Sequence, residues 1–105
     1  MFFKKLSDKE QKEAEFLLYS KQVRALTKSN LKTYVIDEYV DGDRVVDHKV
    51  SIKACFEAEL PVYVASHPYN LQGVSSEYNL KKGSKSTMLP EELLEHVVDS
   101  DDFFT

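Results

Sequence analysis

The side chains that most often catalyse reactions or bind metals are sparse in this chain. Its histidines are His48, His67 and His96, and none is paired with a cysteine at a spacing typical of a zinc site. His48 alternates with valines, so we expect a neutral histidine at the margin of the core. Cys55 lies in an apolar stretch, and we expect it to be inert.

Two further sequence patterns do not match the binding motifs that they resemble. The segment Gly83-Ser-Lys-Ser-Thr87 resembles a phosphate-binding loop, but a serine separates Gly83 from Lys85 and the required upstream glycine is missing. The lysines in and just before this segment, Lys81, Lys82 and Lys85, could still attract an anion or an acidic partner. The acidic residues of a predicted hairpin lack the spacing of a calcium loop; they are Asp37, Glu38, Asp41, Asp43 and Asp47. The sequence therefore predicts no cofactor, no metal and no catalytic residue.

Alternating apolar and polar residues predict the elements that would hold any site. Residues from Val45 to Phe56 alternate with a period of two, which is typical of a strand with one exposed face. A preceding strand, Tyr34 to Val40, would join it through Asp41-Gly42-Asp43, because glycine supplies the positive φ of a tight hairpin. Leu60 to Ala65 is predicted as a third strand, with Pro61 placing it at an edge.

Helices are predicted at both ends of the chain. Ser7 and Glu10 have the spacing of a capping box, which predicts a helix from Asp8 to Thr27. Pro90 suits the first turn of a second helix, Pro90 to Val98. The apolar stripe of the first helix is expected to lie on the sheet; it comprises Phe16, Tyr19, Val23 and Leu26.

Together these elements predict an α+β fold. It has an N-terminal helix, an antiparallel β-meander of three strands, or four with an added strand near Ser75 to Leu80, and a C-terminal helix packed on one face of the sheet. We expect a single domain over residues 1–98, with a long polar loop at 69–88, followed by an acidic, aromatic tail at 99–105.

Composition narrows the class of protein. The chain has 105 residues, of which 42% are hydrophobic and 30% charged, as expected for one modest globular core. No apolar run reaches the length of a membrane span, so we predict a cytoplasmic protein without a membrane partner. The formal charge of -4 disfavours nucleic acid as a partner. Residues 1–32 are nevertheless rich in lysine and arginine, whereas 89–105 contain neither, which suggests a polarity in binding.

The failed motifs favour a small non-enzymatic protein-binding domain, such as a regulator, adaptor or inhibitor. Its contacts would come from the 69–88 loop and the tail, and the candidate residues are Tyr69, Tyr78, Lys81, Lys82, Lys85, Phe103 and Phe104. One alternative is a small enzyme with a pocket under the loop, lined by His67, Tyr69 and Tyr78. Another is a nucleic-acid-binding module that uses the lysine-rich first helix.

The first helix also carries apolar residues outside its sheet-facing stripe. These are Ala14, Leu17, Leu18 and Ala25. If they are exposed in the monomer, pairing of two copies about a two-fold axis would bury them. A homodimer through this face is one solution, and coverage by the 69–88 loop or the C-terminal helix is the other.

Overall fold

The computed structural model describes residues 6–33 and 44–101, which form a mostly helical α+β structure around a small sheet. The helices are α1 (Asp8–Thr33), α2 (Ile52–Glu57), α3 (Val62–Ala65), α4 (Ser76–Lys82) and α5 (Pro90–Asp101). The strands are β1 (Arg44–His48) and β2 (Leu71–Ser75), with a 3₁₀ turn at Pro68–Asn70 before β2. No described helix is long and apolar enough to cross a membrane.

The predicted three- or four-stranded meander is wrong. The described residues contain a two-stranded antiparallel sheet, in which β1 pairs with β2. The predicted first strand and its hairpin, residues 34–43, lie outside the described residues. The predicted 69–88 loop is instead built from part of the 3₁₀ turn, β2 and α4, followed by an irregular stretch.

The predicted middle strand divides into a strand and a helix. β1 ends at His48, and the Ser51 side chain accepts a hydrogen bond of 3.0 Å from the Ala54 N–H at the start of α2. Serine is among the preferred residues at this capping position. Ile52 and Phe56 are four residues apart, which suits a helix as well as a strand. Ile52 and Phe56 therefore fit both the two-residue period of a strand and the 3.6-residue period of a helix. The Ser51 cap favours the helix.

The predicted third strand, Leu60 to Ala65, is also wrong because α2 ends in a turn that leads into α3. The Glu59 N–H bonds the Phe56 carbonyl at 3.0 Å, and the Leu60 N–H bonds the Cys55 carbonyl at 2.9 Å. These two bonds define a Schellman motif. Glu59 occupies its left-handed position, with a φ of 58°, where glycine is usual.

Both terminal helices were predicted, and both are longer than expected. At the start of α1 the Glu10 N–H bonds the Ser7 hydroxyl and the Ser7 N–H bonds the Glu10 carboxylate, each at 3.2 Å, which confirms the capping box. α1 packs mainly on α2, α3 and the 3₁₀ turn, and α5 on α3 and that turn, rather than on the sheet. The core lies among these helices and the chain after β1; its buried residues are Val23, Val50, Cys55, Leu60, Val64, Ala65, Leu93 and Val97.

A fully buried asparagine joins three segments of this core. Asn70 accepts a hydrogen bond of 2.7 Å from the Val50 N–H and donates to the carbonyls of Val50 (3.1 Å) and Ala65 (2.8 Å). Its side chain thereby satisfies three backbone groups that strand pairing and helix bonds leave free. The segment after β1 and the end of α3 are held to the start of β2 by this one side chain.

We expect Asn70→Ala to lower the free energy of unfolding by about 3–5 kcal/mol, because three buried backbone groups lose a hydrogen bond and the Val50 carbonyl keeps only a weak contact with Cys55 Sγ. Urea denaturation followed by circular dichroism measures this change. Asn79→Ala is the matched control, since Asn79 is half-buried on α4 and makes no side-chain hydrogen bond within the described residues. Equal stabilities of the two variants would contradict the role assigned to Asn70.

Candidate functional site

A buried ion pair connects the sheet to α4. The Lys82 ammonium donates hydrogen bonds of 3.0 Å to Asp47 Oδ1 and of 3.0 Å to the His48 carbonyl. Asp47 Oδ2 accepts a bond of 2.8 Å from Gln72, which lies directly opposite in the antiparallel register. Both charged side chains are about 95% buried, with relative exposures of 5% and 6%. Both carboxylate oxygens of Asp47 are therefore occupied within the protein.

His48 lies beside this pair at the edge of the core. Its Nε2 is 3.0 Å from the Thr27 hydroxyl of α1. Burial lowers the pKa of His48 to about 4, with Arg24 and Lys82 lowering the pKa further and Asp47 opposing the change. The imidazole is neutral at pH 7, as predicted from the sequence. This contact ties the end of β1 to α1.

A cleft opens next to His48, between α1, β1, α2 and α4. Its volume is about 400 Å³. Its charged lining residues are Arg24, Asp47, Lys53 and Lys82. Asn79, Gly83 and Ser84 form the wall contributed by α4 and the residues after it. The cleft is thus lined by more cations than anions.

A larger groove of about 1110 Å³ lies between α1 and α2. Its floor contains the rings of Phe16, Tyr19 and Phe56, with centroids 5.3 Å apart in both contacts that Phe56 makes. The Tyr19 hydroxyl donates a 2.9 Å bond to the Leu60 carbonyl, and burial raises the pKa of this phenol. Positively charged lysines and negatively charged glutamates form the rim. The floor is apolar and well packed, and it presents no activated group.

Cys55 and the side-chain types that bind metals were the remaining candidates for chemistry among the described residues. Cys55 is fully buried and its Sγ is 3.7 Å from the Val50 carbonyl, and burial raises its pKa to about 11. This agrees with the expected inertness, although Cys55 lies on a helix and not on a strand. Within residues 6–33 and 44–101, no three side chains of the metal-binding types come together.

Tyr69 and Tyr78, two of the residues predicted to bind a partner, lie in the 3₁₀ turn and on α4. Tyr69 stacks on His96 with centroids 4.5 Å apart, and the Lys49 ammonium lies 4.8 Å from its ring centre. Tyr78 is 45% exposed on α4, on the same helix as the exposed ion pair of Lys81 with Glu77. Neither the cleft nor the groove is lined by Tyr69 or Tyr78.

The other predicted contact residues divide into three cases. Lys85 is exposed in the irregular stretch after α4. Lys82 is buried against Asp47, so it is not available to a docking protein. Phe103 and Phe104 lie outside the described residues. His67, the third residue of the predicted enzyme pocket, accepts a 3.0 Å bond at Nδ1 from the Tyr69 N–H and caps the 3₁₀ turn.

One side of α1 is exposed, and its four apolar residues, Ala14, Leu17, Leu18 and Ala25, form what we call the outward face. Leu17 and Leu18 have relative exposures of 71% and 59%, and Ala14 and Ala25 are exposed as well. Val23 and Thr27, on the opposite side of the helix, are buried. Neither of the alternatives named from the sequence, the 69–88 segment or α5, buries the outward face.

Comparisons with protein-family models, with curated proteins and with solved structures gave no match to this chain.

Sequence reasoning missed the cleft and its buried ion pair. Asp47 and Lys82 are far apart in sequence, and Lys82 was grouped with its lysine neighbours as part of a loop. The only available signal was the helical spacing of Glu77 and Lys81, which are four residues apart. That spacing indicates α4, but it does not indicate which lysine points inward.

The depressed pKa of His48 predicts a pH dependence of stability. Above pH 6.5 the imidazole is neutral in both states and contributes no pH dependence; between pH 6.5 and 4 the unfolded state binds the proton first. The free energy of unfolding should therefore fall with decreasing pH by up to about 1.4 kcal/mol per pH unit from this group. Urea denaturation of wild type and His48→Gln across this range isolates the contribution as a difference. Parallel pH profiles would contradict this prediction.

Proposed function

We propose that this protein is a small non-enzymatic protein-binding domain that self-associates through the outward face of α1. The exposure of Leu17 and Leu18, on the side of the helix opposite to its buried residues, is the observation that carries the proposal. Isolated exposed leucines are ordinary, but two together on a helix that also exposes Ala14 and Ala25 form a patch suited to a partner. The cytoplasmic location predicted from the sequence is part of this proposal.

The charges of α1 favour a second copy as the partner. Asp8, Glu10, Glu13 and Glu15 are its acidic residues, and all lie in its first eight positions. Residues 16–33 contain Lys21, Arg24, Lys28 and Lys32 and no acid. The first eight positions also contain Lys9 and Lys12, so four acids against two lysines leave this half with a net negative charge. An antiparallel pair of such helices places this half of each copy against the basic half of the other. A parallel pair would place like charges together.

The outward face fits this antiparallel arrangement. Consider an antiparallel pairing whose midpoint along the helix axis is level with Tyr19. It brings Glu10 of one copy opposite Lys28 of the other, on the same flank of the contact between the two helices, which we call the seam. It also sets Lys21 against Leu17, where the aliphatic part of the lysine can cover the leucine while its ammonium stays in water. A helix of 26 residues is about 39 Å long. Two such helices can bury on the order of 1,000 Å² or more, the scale of a specific interface.

The surface residues predicted from the sequence remain candidates for contact with a different protein. Tyr78 and Lys85 are exposed, and the acidic α5 leads into Phe103 and Phe104. Deleting residues 102–105 tests the tail without shortening α5. Unchanged capture of a partner protein, once one is identified, would remove the tail from the proposal.

Nucleic-acid binding is the second candidate, and the acid-free stretch 16–33 is the observation that favours it. Retention on DNA or RNA that falls steeply with salt would support this alternative. Retention lost in Lys28→Glu, with no change in oligomeric state, would assign the basic half of α1 to nucleic acid rather than to self-association.

We expect the wild type to sediment as a dimer and Leu18→Lys to sediment as a folded monomer, because a lysine at the centre of the seam places two charges in an apolar contact. Sedimentation equilibrium measures the association, and circular dichroism checks folding. Leu80→Lys is the matched control, since Leu80 is 82% exposed on α4 and lies outside the seam. A monomeric wild type, or a dimeric Leu18→Lys, would overturn the proposal.

Charge reversal tests the direction of pairing. Glu10→Lys and Lys28→Glu should each weaken the dimer, and the double variant should recover most of the loss because the opposite pair is restored. Single variants that leave the dimer unchanged would contradict the antiparallel register.

A further inference from the structure

The cleft between α1, β1, α2 and α4 contains positive charge that its own carboxylate does not neutralise. Asp47 is the acid among its lining residues, and its two oxygens are taken by Lys82 and Gln72. Arg24 and Lys53 line the same cleft without a carboxylate partner among the described residues. Arg24 belongs to the acid-free stretch 16–33, whereas Lys53 also lines the larger groove near Glu57.

The cleft also has hydrogen-bond donors left over. Arg24 uses its Nε to bond the Ser20 hydroxyl at 3.2 Å, which fixes the guanidinium and leaves its terminal nitrogens free for a ligand. Lys82 has three N–H bonds, and the described residues supply acceptors for two of them. Asn79 and Ser84 add a neutral amide and a hydroxyl. These residues belong to α1, to α4 and to the segment after α4, and all of them line the cleft.

The chain turn after α4 keeps one side of this space open. Gly83 ends the helix with a φ of 57°, a conformation that glycine adopts without strain, and its N–H bonds the Asn79 carbonyl at 3.1 Å. No atom beyond its chain neighbours lies within 4 Å of where a side chain at Gly83 would begin. Ser84 is thereby placed at the wall of the cleft, next to an opening.

We propose that this cleft binds a small anion of the phosphate class through Arg24, Lys53 and Lys82. A guanidinium matches phosphate oxygens with two parallel hydrogen bonds, and lysines supply point charges around it. The volume of about 400 Å³ lies in the lower part of the range of small-molecule sites, which suits a phosphate or a small phosphate ester. The ion pair with Asp47 explains why Lys82 is buried, but it does not explain the placement of Arg24 and Lys53.

The proposed site shares α1 with the proposed self-association. Arg24 lies seven residues after Leu17, on nearly the same face of the helix, and the antiparallel pairing places it opposite Ala14 of the second copy. Leu18 lies farther around the helix from Arg24, so the monomeric Leu18→Lys variant should still bind phosphate. Binding by that variant tests the cleft in the absence of the second copy.

Amide chemical shifts during titration with inorganic phosphate at constant ionic strength test the proposal. We expect saturable shifts that cluster in residues 46–53 and 79–84, and a several-fold weaker Kd in Arg24→Gln and in Lys53→Gln. Lys32→Gln changes the net charge equally at the far end of α1 and should leave the Kd unchanged. A nucleoside monophosphate as second probe distinguishes a phosphate ester, which should bind more tightly, from the free ion.

Two outcomes would overturn the proposal. One is the absence of saturable shifts in the cleft with either probe. The other is a loss of affinity that is equal in Arg24→Gln, Lys53→Gln and Lys32→Gln, which would show attraction by net charge rather than a site. Circular dichroism of each variant separates loss of binding from loss of folding.

Discussion

The hydrogen bonds of Asn70 are the constraint on which the packing of the core depends. β1 and β2 form a sheet of five residue pairs, and a two-stranded ribbon of this size is marginal without support. Asn70 supplies that support at one end, because its side chain binds both backbone groups of Val50 and the last carbonyl of α3. Lys49 extends the same connection through its N–H to the Asn70 carbonyl at 2.7 Å. The helices can pack beside the sheet because its end is fixed to them.

The same end of the sheet is also held by the pair of Lys82 and Asp47, because Asp47 and His48 are the last two residues of β1. A buried ion pair gains little net stability, because desolvation offsets most of the attraction, but its geometry is demanding. Lys82 must reach both Asp47 and the His48 carbonyl, which sets the position of α4 relative to β1. That position creates the cleft. The same contact therefore orients α4 and determines which donors of Arg24, Asn79 and Ser84 can meet a ligand.

The sequence predicted the outer helices well because their signals are local. The capping box at Ser7 and Glu10 and the proline at position 90 each mark a helix start within a few residues. The middle of the chain was misread because α2 and α3 are too short to show a helical period against the alternation around them. A glycine at position 59 would have signalled the end of α2, but glutamate occupies that left-handed position. The optional fourth strand is predicted near Ser75 to Leu80, whereas β2 spans Leu71–Ser75. Gly73 and its polar neighbours lack the composition that is typical of a strand.

The candidate sites were predictable only where they lie on one element. The outward face was found from the sequence because its four residues share one helix, whereas the cleft requires contacts between α1, β1, α2 and α4 that no local pattern encodes. α1 can form while much of its surface faces water, because its charged residues complement the helix dipole. Asp8 and Glu10 lie in the first turn, at the positive end, and Lys32 lies in the last turn, at the negative end. A helix stabilised in this way does not require Leu17 and Leu18 for its own folding, which leaves both side chains free to bind a partner.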